Sequence, residues 1–357
     1  MIASPDTEDS PRKGADEILK ACKTELAKRI VGQPAMIEGL LMALIAGGHI
    51  LLEGVPGLAK TLAVKSLADI TGLSFKRIQF TPDLLPADLT GTLVWEQASG
   101  TFSVRRGPVF AQVILADEIN RAPAKVQSAL LEAMEERQVT IGETTYPLPD
   151  PFFVLATQNP IEHEGTYTLP EAELDRFLLK LLIRYPSMEE EIRILQMTAA
   201  QNTWSLRTGE QWTPLQPVLD AVALTRLRAA ADSVFMDEQI AAYIVSVVAA
   251  SRPGASKPAA PGSPQGRLPG NGVEKALREE LYRYIAFGAS PRASIALYRC
   301  SRIRALFEGR SFVSPEDVKA AALPVLRHRM VLSYEAAAEG LDPDAVISRL
   351  LTYVPVP

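Results

Sequence analysis

The sequence contains little cysteine and little histidine. Its 357 residues include only Cys22 and Cys300, and the histidines His49, His163 and His328. Two distant cysteines without metal-ligand spacing give no sign of a disulfide framework, so we expect small packed residues in a reducing cytoplasm. The histidines form no ligand set by their spacing, so we assign each a structural role rather than metal binding.

Long apolar runs and blocks of positive charge are also absent. The longest apolar stretches, such as 40–46, fall far short of the roughly 20 residues that a membrane helix needs. The 42 Asp and Glu residues outnumber the 37 Lys and Arg residues. The sequence has no block rich in Lys and Arg, so sequence-independent binding of nucleic acid is not indicated. The polar segment 1–14 lacks an apolar signal core and is predicted to be a disordered lead.

Apolar runs of strand length alternate with helical patterns through the first half of the chain. Strands are predicted at 49–53, 75–80, 113–116, 152–157 and 178–183. Most of these runs are continuously apolar, as expected for strands that are buried on both faces. Because helical periodicity lies between them, the sequence predicts an α/β domain with a mainly parallel sheet over 15–186.

From residue 187 to residue 357 the composition is that of a helical second domain. Amphipathic, alanine-rich patterns predict helices at 188–200, 217–231 and 238–250 and again from 273 onward. The segment 252–272 is rich in Pro, Gly and Ser, and we expect a flexible linker there. Ser290 and Ser314 each precede a proline and are predicted to be helix N-caps.

Two hairpin patterns interrupt the first domain. Residues 92–104 alternate loosely about the turn 98–100, and residues 139–146 turn at Gly142-Glu143. By composition alone, surface hairpins without a special role are favoured.

A phosphate-binding turn is predicted at residues 54–61, between a strand and a helical stretch. The N–H groups of such a turn and of the following helix point at a bound anion, which favours a polyphosphate. Lys60 would reach the β- and γ-phosphates, and the Thr61 hydroxyl would be a ligand of Mg²⁺. Ala59 departs from the usual pattern, because glycine there would tolerate positive φ more easily. An ordinary turn that happens to hold lysine is the alternative, which the context disfavours.

Polar residues follow three later elements. Asp117 and Glu118 end a buried strand, where they would hold the Mg²⁺ hydration shell and activate a water molecule. Asn159 follows the next strand and would position the γ-phosphate or that water. Arg176 offers a permanent, planar charge suited to phosphate. The alternatives are solvated acids, a turn-forming Asn-Pro pair and an exposed ion pair with Asp175.

Together these motifs resemble the MoxR family of AAA+ ATPases, which belongs to the helix-2-insert clade. The resemblance runs from about residue 30 to the C-terminus, including the tail 324–329, and implies an α/β P-loop NTPase core with a parallel sheet, followed by an all-helical lid domain. Ala59 is common in MoxR-like loops. The most specific segments are 54–61, 116–123, 156–160 and 288–293.

The resemblance implies ATP and Mg²⁺ as cofactors and assigns roles to named residues. Asp117 and Glu118 match Walker B, and Asn159 matches sensor 1. Arg176 matches the arginine finger, which acts on ATP in the adjacent subunit, and Arg292 matches sensor 2. Arg121 is a further candidate interface or sensing arginine. The implied nucleotide-binding residues, including Walker A, are Val31, Gly32, Gln33, Gly54, Val55, Pro56, Gly57, Leu58, Ala59, Lys60, Thr61, Leu62 and Arg292.

By the same resemblance, the protein is an ATP-hydrolysing ring, a hexamer, that remodels or matures client proteins. The family often works with a partner that carries a von Willebrand factor A domain, and the two hairpins resemble inserts that face the central pore. Two other functions stay open. A nucleic-acid motor is disfavoured by the acidic balance. A non-hydrolysing assembly switch is disfavoured by the intact Asp117-Glu118 pair.

Overall fold

The structure is a computed structural model that describes residues 11–54, 60–160, 166–200, 214–253 and 280–357. Most of the predicted lead 1–14 and of the predicted linker 252–272 lies outside the described residues, as do His163 and the Walker A residues 55–59. Among the described residues, no helix has the length and apolar character needed to cross a membrane.

Helices and strands alternate through the first half of the chain. In chain order they are α1 (Pro11–Ala27), α2 (Pro34–Ala46), β1 (Ile50–Glu53), α3 (Lys60–Thr71), β2 (Phe75–Gln79), α4 (Pro86–Thr90), β3 (Gly91–Glu96), β4 (Thr101–Arg106), β5 (Val113–Asp117), α5 (Ala124–Glu136), β6 (Gln138–Ile141), β7 (Thr144–Pro147), β8 (Phe153–Gln158), α6 (Glu171–Leu174) and β9 (Leu179–Leu182).

Helices dominate the second half. They are α7 (Met188–Ala200), α8 (Ala221–Asp232), α9 (Glu238–Ala250), α10 (Pro291–Phe307), α11 (Pro315–Leu326), α12 (Tyr334–Ala338) and α13 (Pro343–Tyr353), with the short strands β10 (Ile285–Phe287) and β11 (Val331–Leu332).

The chain divides into two compact units. The first comprises Met1–Leu169 and Leu181–Leu227, and the second comprises Pro170–Lys180 and Arg228–Pro357. The short segment Pro170–Lys180, which ends within β9, thus groups with residues from Arg228 onward. These compact units divide the chain at other positions than the predicted domain boundary at 186/187. That boundary stays a prediction.

A five-stranded sheet in the order β2-β5-β8-β1-β9 forms the centre of the first unit. The pairs β1/β8, β5/β8 and β2/β5 are parallel, with Glu53 opposite Gln158, Ala116 opposite Ala156 and Gln79 opposite Asp117. The residues of β1, β5 and β8 are almost fully buried, because helices cover both faces of a parallel sheet. The α/β class with a parallel sheet is therefore confirmed.

β2 is less buried than the sequence predicted. It lies at the edge of the sheet, and Lys76, Arg77 and Gln79 are exposed while Ile78 is buried. An edge strand keeps one side accessible, so polar residues are tolerated along it. This edge brings two polar side chains beside the end of β5, which the sequence did not indicate.

Both predicted hairpins are confirmed as antiparallel pairs, β3/β4 and β6/β7. Gly142 turns the second hairpin with φ +64°, and a Cβ there would come within 2.7 Å of Leu93 Cδ1. Arg106, at the end of β4, lies over the rings of Phe110 and Tyr146, and Tyr146 belongs to β7. The two hairpins therefore pack against each other.

The second unit is helical, as predicted, with one addition: β10 and β11 form a small antiparallel sheet. Both predicted caps are confirmed. The Ser290 hydroxyl accepts a hydrogen bond from Arg292 N at 3.1 Å. Ser314 and Asp317 form a capping box at the start of α11, which satisfies two backbone N–H groups that the helix cannot.

His49 has the structural role that the sequence predicted. Its Nδ1 accepts from Val154 N at 3.0 Å, and its Nε2 lies 3.3 Å from Met134 O, so the ring joins β8 to the end of α5. Burial, with Arg137 nearby, lowers the pKa of His49 to about 3. His328 is likewise buried and contacts Phe177 O, and burial lowers its pKa as well.

We predict that His49 makes stability depend on pH. In the unfolded chain the pKa of His49 is near 6.5. On acidification the unfolded state therefore binds a proton at a pH where His49 in the folded state stays neutral. The contribution is complete above pH 6.5 and is lost as the pH falls, by up to about 1.4 kcal/mol per pH unit.

Urea unfolding at pH 7, 6 and 5 should show a shallower decline for His49→Asn than for the wild type, whatever the cost of the substitution at pH 7. Parallel declines for the two proteins would contradict the assignment.

Candidate active site

Gly54 and Lys60 flank the predicted phosphate turn. Gly54 follows β1, and its N–H donates to Gln158 O at 3.3 Å. A Cβ at this position would lie 2.8 Å from Ile183 Cβ and 2.9 Å from Ile183 O, so only glycine fits without a shift of the backbone. Lys60 opens α3, and its Nζ donates to Gly54 O at 2.6 Å. The two ends of the turn are therefore joined by the lysine itself.

The Lys60 ammonium has lost much of its water. Burial lowers its pKa, and the carboxylates of Asp117, Glu118 and Glu53 oppose that shift. A buried cation gains stability from any anion that approaches it. Thr61 and Leu62 follow in the first turn of α3, where both are half-buried. This half of the site thus offers a partly desolvated positive charge and a hydroxyl.

The Thr157 hydroxyl joins the ends of β8 and β5. It donates to Asp117 Oδ1 at 2.7 Å and accepts from Glu118 N at 2.8 Å. Because the strands are parallel, the residues that follow them lie at the same edge of the sheet. Asn159, buried just after β8, belongs to this group. The structure therefore brings Lys60, Asp117, Glu118 and Asn159 to the carboxyl ends of three adjacent strands.

Glu118 has a strained backbone. Its φ of 56° is in the left-handed region, which costs a non-glycine residue on the order of 1–3 kcal/mol. The side chain is held by Gln79 Nε2 at 2.8 Å and by Arg121 Nη1 at 3.0 Å, both on Oε2. A second polar group on β2, Arg77, donates to Asp117 Oδ2 from Nη2 at 2.6 Å and from Nε at 3.1 Å.

The donor atoms of this cluster suit Mg²⁺. The Thr61 hydroxyl and the Asp117 carboxylate are hard oxygen donors, and Mg²⁺ prefers one or two such protein ligands together with phosphates and water. In the part of the chain that the structure describes, no group of three or more His, Cys, Asp and Glu side chains could hold a metal ion.

The segment Val31-Gly32-Gln33, which the family resemblance implies is nucleotide-binding, lies against residues that follow β9. Gln33 Nε2 donates to Arg184 O at 3.2 Å. Gly32 has φ +70°, and the Glu190 side chain is so close that a Cβ would come within 2.3 Å of its Cδ. Half-burial of all three residues leaves part of this segment accessible.

Arg176 and Arg292 belong to the second unit. Arg176 is half-buried and follows Asp175, while Arg292 is exposed in the first turn of α10. Asp175 Oδ2 lies 3.9 Å from Arg292 Nη1. Arg292 thus lies near the carboxylate of the residue that precedes Arg176.

Sequence reasoning gave no role to Thr157, Arg77 or Gln79. Thr157 lies within the motif segment 156–160, and its polar side chain at the end of an apolar strand was a signal that could have been used. Arg77 and Gln79 alternate along β2, and only the position of that strand at the sheet edge beside β5 gives them a role.

Comparison with known proteins adds an independent observation. The family described as "ATPase family associated with various cellular activities (AAA)" matches residues 49–179, and the "AAA lid domain" matches residues 279–350. Chaperone MoxR1 of Mycobacterium tuberculosis is 44% identical over 361 residues, covering 99% of this chain and 88% of its own length. The chain belongs to the MoxR family of AAA+ ATPases.

Two further matches extend over most of the chain. The uncharacterised protein YeaC of Bacillus subtilis is 42% identical over 317 residues, which is 89% of this chain and 88% of YeaC. A crystal structure from Cytophaga hutchinsonii, of a protein described provisionally as an ATPase, has a TM-score of 0.83 at 43% identity and covers 97% of both chains. The resemblance stated from the motifs is therefore confirmed at the level of family and fold.

We predict that Arg77 weakens cation binding at Asp117. Its guanidinium neutralises the carboxylate, so Arg77→Gln should tighten the binding of Mn²⁺, a spectroscopic probe for Mg²⁺, by about three- to tenfold, equivalent to about 1 kcal/mol for a half-exposed ion pair. Electron paramagnetic resonance titration with ATP present measures this directly.

Lys76→Gln is the matched control, because Lys76 is the exposed neighbour of Arg77 on the same edge strand. Equal Mn²⁺ affinity in the two variants would refute the role of Arg77.

Proposed function

We propose that this chain is a Mg²⁺-dependent ATPase that converts ATP and water to ADP and phosphate, and that it works as a hexameric ring to remodel or mature client proteins. One observation carries the proposal: Lys60, Asp117, Glu118 and Asn159 meet at the carboxyl ends of β1, β5 and β8. Ligands of open α/β sheets bind at this edge.

Each residue at that edge has a distinct task in the proposal. Lys60 neutralises phosphate charge, and the N–H groups of the turn at 54–61 hold the phosphates. Thr61 and Asp117 would hold Mg²⁺, which supplies charge neutralisation of the phosphates when bound. Glu118 takes the proton of the attacking water, and Asn159 orients that water or the γ-phosphate. Breaking the contacts of Glu118 with Gln79 and Arg121 would free its carboxylate for this task.

In the proposal, arginines complete the site from two sources. Arg176 acts on the ATP of the neighbouring subunit, where a charge placed against the transferring phosphoryl group stabilises the transition state. Arg292 acts on the ATP of its own subunit. One subunit alone therefore lacks a required charge, which makes ring assembly part of catalysis. Arg121, which donates to Glu118, is a further interface or sensing arginine in this proposal.

The hairpins support the proposal of a protein client. On β3 and β4, Trp95 and Phe102 are 52% and 65% exposed, and their rings pack edge to face at 5.0 Å. Exposed apolar patches mark interaction surfaces, and this one would suit a polypeptide client. The relative named chaperone MoxR1 fits a chaperone-like role. A partner with a von Willebrand factor A domain is proposed from the family resemblance alone.

A reducing cytoplasm suits both cysteines. Cys22 and Cys300 are free and buried, and burial raises the pKa of each thiol to about 12. Such thiols stay protonated and unreactive, so cytoplasmic localisation belongs to the proposal.

Mixing two inactive variants tests the shared site. Arg176→Ala subunits keep Glu118 but supply no finger, whereas Glu118→Gln subunits supply the finger but activate no water. Each alone should lose most phosphate release. After mixing in equal amounts and reassembly with ATP, about a quarter of the interfaces combine both intact halves, so activity should return to about that fraction of wild type.

Light scattering on the same samples checks that rings form. Rings that form without any recovery of phosphate release would contradict a finger that acts between subunits.

A further inference from the structure

Within the second unit, the buried guanidinium of Arg329 anchors the segment that carries Arg176. Arg329, which follows α11, donates from Nε to Asp175 Oδ1 at 2.7 Å and from Nη2 to Asp175 O at 3.1 Å. It also donates to the carbonyl oxygens of Phe177, Leu178 and Val325. Its side chain is only 3% exposed, so these acceptors replace its water almost completely.

The same carboxylate reaches a second element. Asp175 Oδ2 accepts from the Ser290 hydroxyl at 2.7 Å, and that hydroxyl in turn accepts from Arg292 N at 3.1 Å. Ser290 is the N-cap of α10, the helix that carries Arg292 in its first turn. A chain of two hydrogen bonds therefore connects the residue before Arg176 to the backbone of Arg292.

The turn before α10 is also fixed from the other side. Ala289 N donates to Ser251 Oγ at 3.0 Å, and Arg252 Nε donates to Ala289 O at 2.7 Å. A Cβ on Gly288 would lie 2.3 Å from Ser251 O, so the two backbones are in close contact. The end of α9 holds the turn on one side. On the other side the Ser290 hydroxyl links it to the Arg176 segment at hydrogen-bond distance, and the Arg292 guanidinium lies farther from the same carboxylate, at 3.9 Å.

We propose that Asp175 is a positioning residue that couples Arg292 to Arg176 through Ser290. Nucleotide bound at Arg292 in one subunit would then determine the position of the Arg176 side chain that faces the next subunit. This inference rests on the proposed function, in which Arg292 acts on the subunit's own ATP and Arg176 on the neighbour's. Direct replacement of Asp175 would leave the buried Arg329 charge without its carboxylate partner and endanger folding, so Ser290 is the site to test.

The experiment uses donor subunits that supply Arg176 to the neighbouring site but cannot hydrolyse ATP themselves, together with acceptor subunits that lack Arg176. Donor subunits carry Glu118→Gln, acceptor subunits carry Arg176→Ala, and equal mixtures are assayed for phosphate release over a range of ATP concentrations. Adding Ser290→Ala to the donor should lower the kcat of the mixture by about three- to tenfold, because a displacement well under 1 Å costs part of the roughly hundredfold loss that a 1 Å misplacement can cause. The KM should stay unchanged, since the acceptor keeps its own Ser290 and Arg292.

Two further donors separate coupling from helix capping. Ser290→Thr keeps the hydroxyl and should restore the kcat of the parent mixture. Ser333→Ala removes another serine N-cap of the same unit, at α12, and should leave kcat unchanged. Ring formation by every donor is checked by light scattering.

The possible failures are distinct. No activity in the parent mixture contradicts the proposed function and this inference with it. Activity in the parent mixture that Ser290→Ala does not alter, or that Ser333→Ala lowers equally, overturns the coupling alone.

Discussion

Parallel pairing of β1, β8 and β5 is the constraint on which the candidate site depends. Parallel strands end at the same edge, so the residues that follow them converge although they are far apart in sequence. The Thr157 hydroxyl then fixes the distance between two of these ends by bonding Asp117 Oδ1 and Glu118 N. A buried hydroxyl with both partners satisfied is rigid, and it supports the strained backbone of Glu118.

Positive and negative side chains lie close together at this edge. Lys60 is partly desolvated among three carboxylates, and Arg77 and Arg121 each neutralise one of the acids that we propose act on ATP. Binding of a polyphosphate with its cation would replace several of these contacts. We therefore expect ligand binding to rearrange these contacts.

Much of this arrangement could be predicted from the sequence, because it is local. Continuous apolar runs predicted the buried strands, Ser290-Pro291 predicted a cap, and polar residues after apolar strands predicted the site. Tertiary contacts between distant residues left no such signal. The exposed Arg77 and Gln79 gain their role only because β2 pairs with β5, and Arg329 meets Asp175 across 154 positions of sequence.

The central claim is that one edge of the sheet both binds ATP and hydrolyses it, with Lys60 and Glu118 dividing the two tasks. Parallel measurement of ATP affinity and single-turnover phosphate release in Lys60→Ala and Glu118→Gln tests this most directly. Glu118→Gln should bind ATP as the wild type does and release phosphate about a hundredfold or more slowly, whereas Lys60→Ala should lose binding. Phosphate release at the wild-type rate by Glu118→Gln would contradict the account.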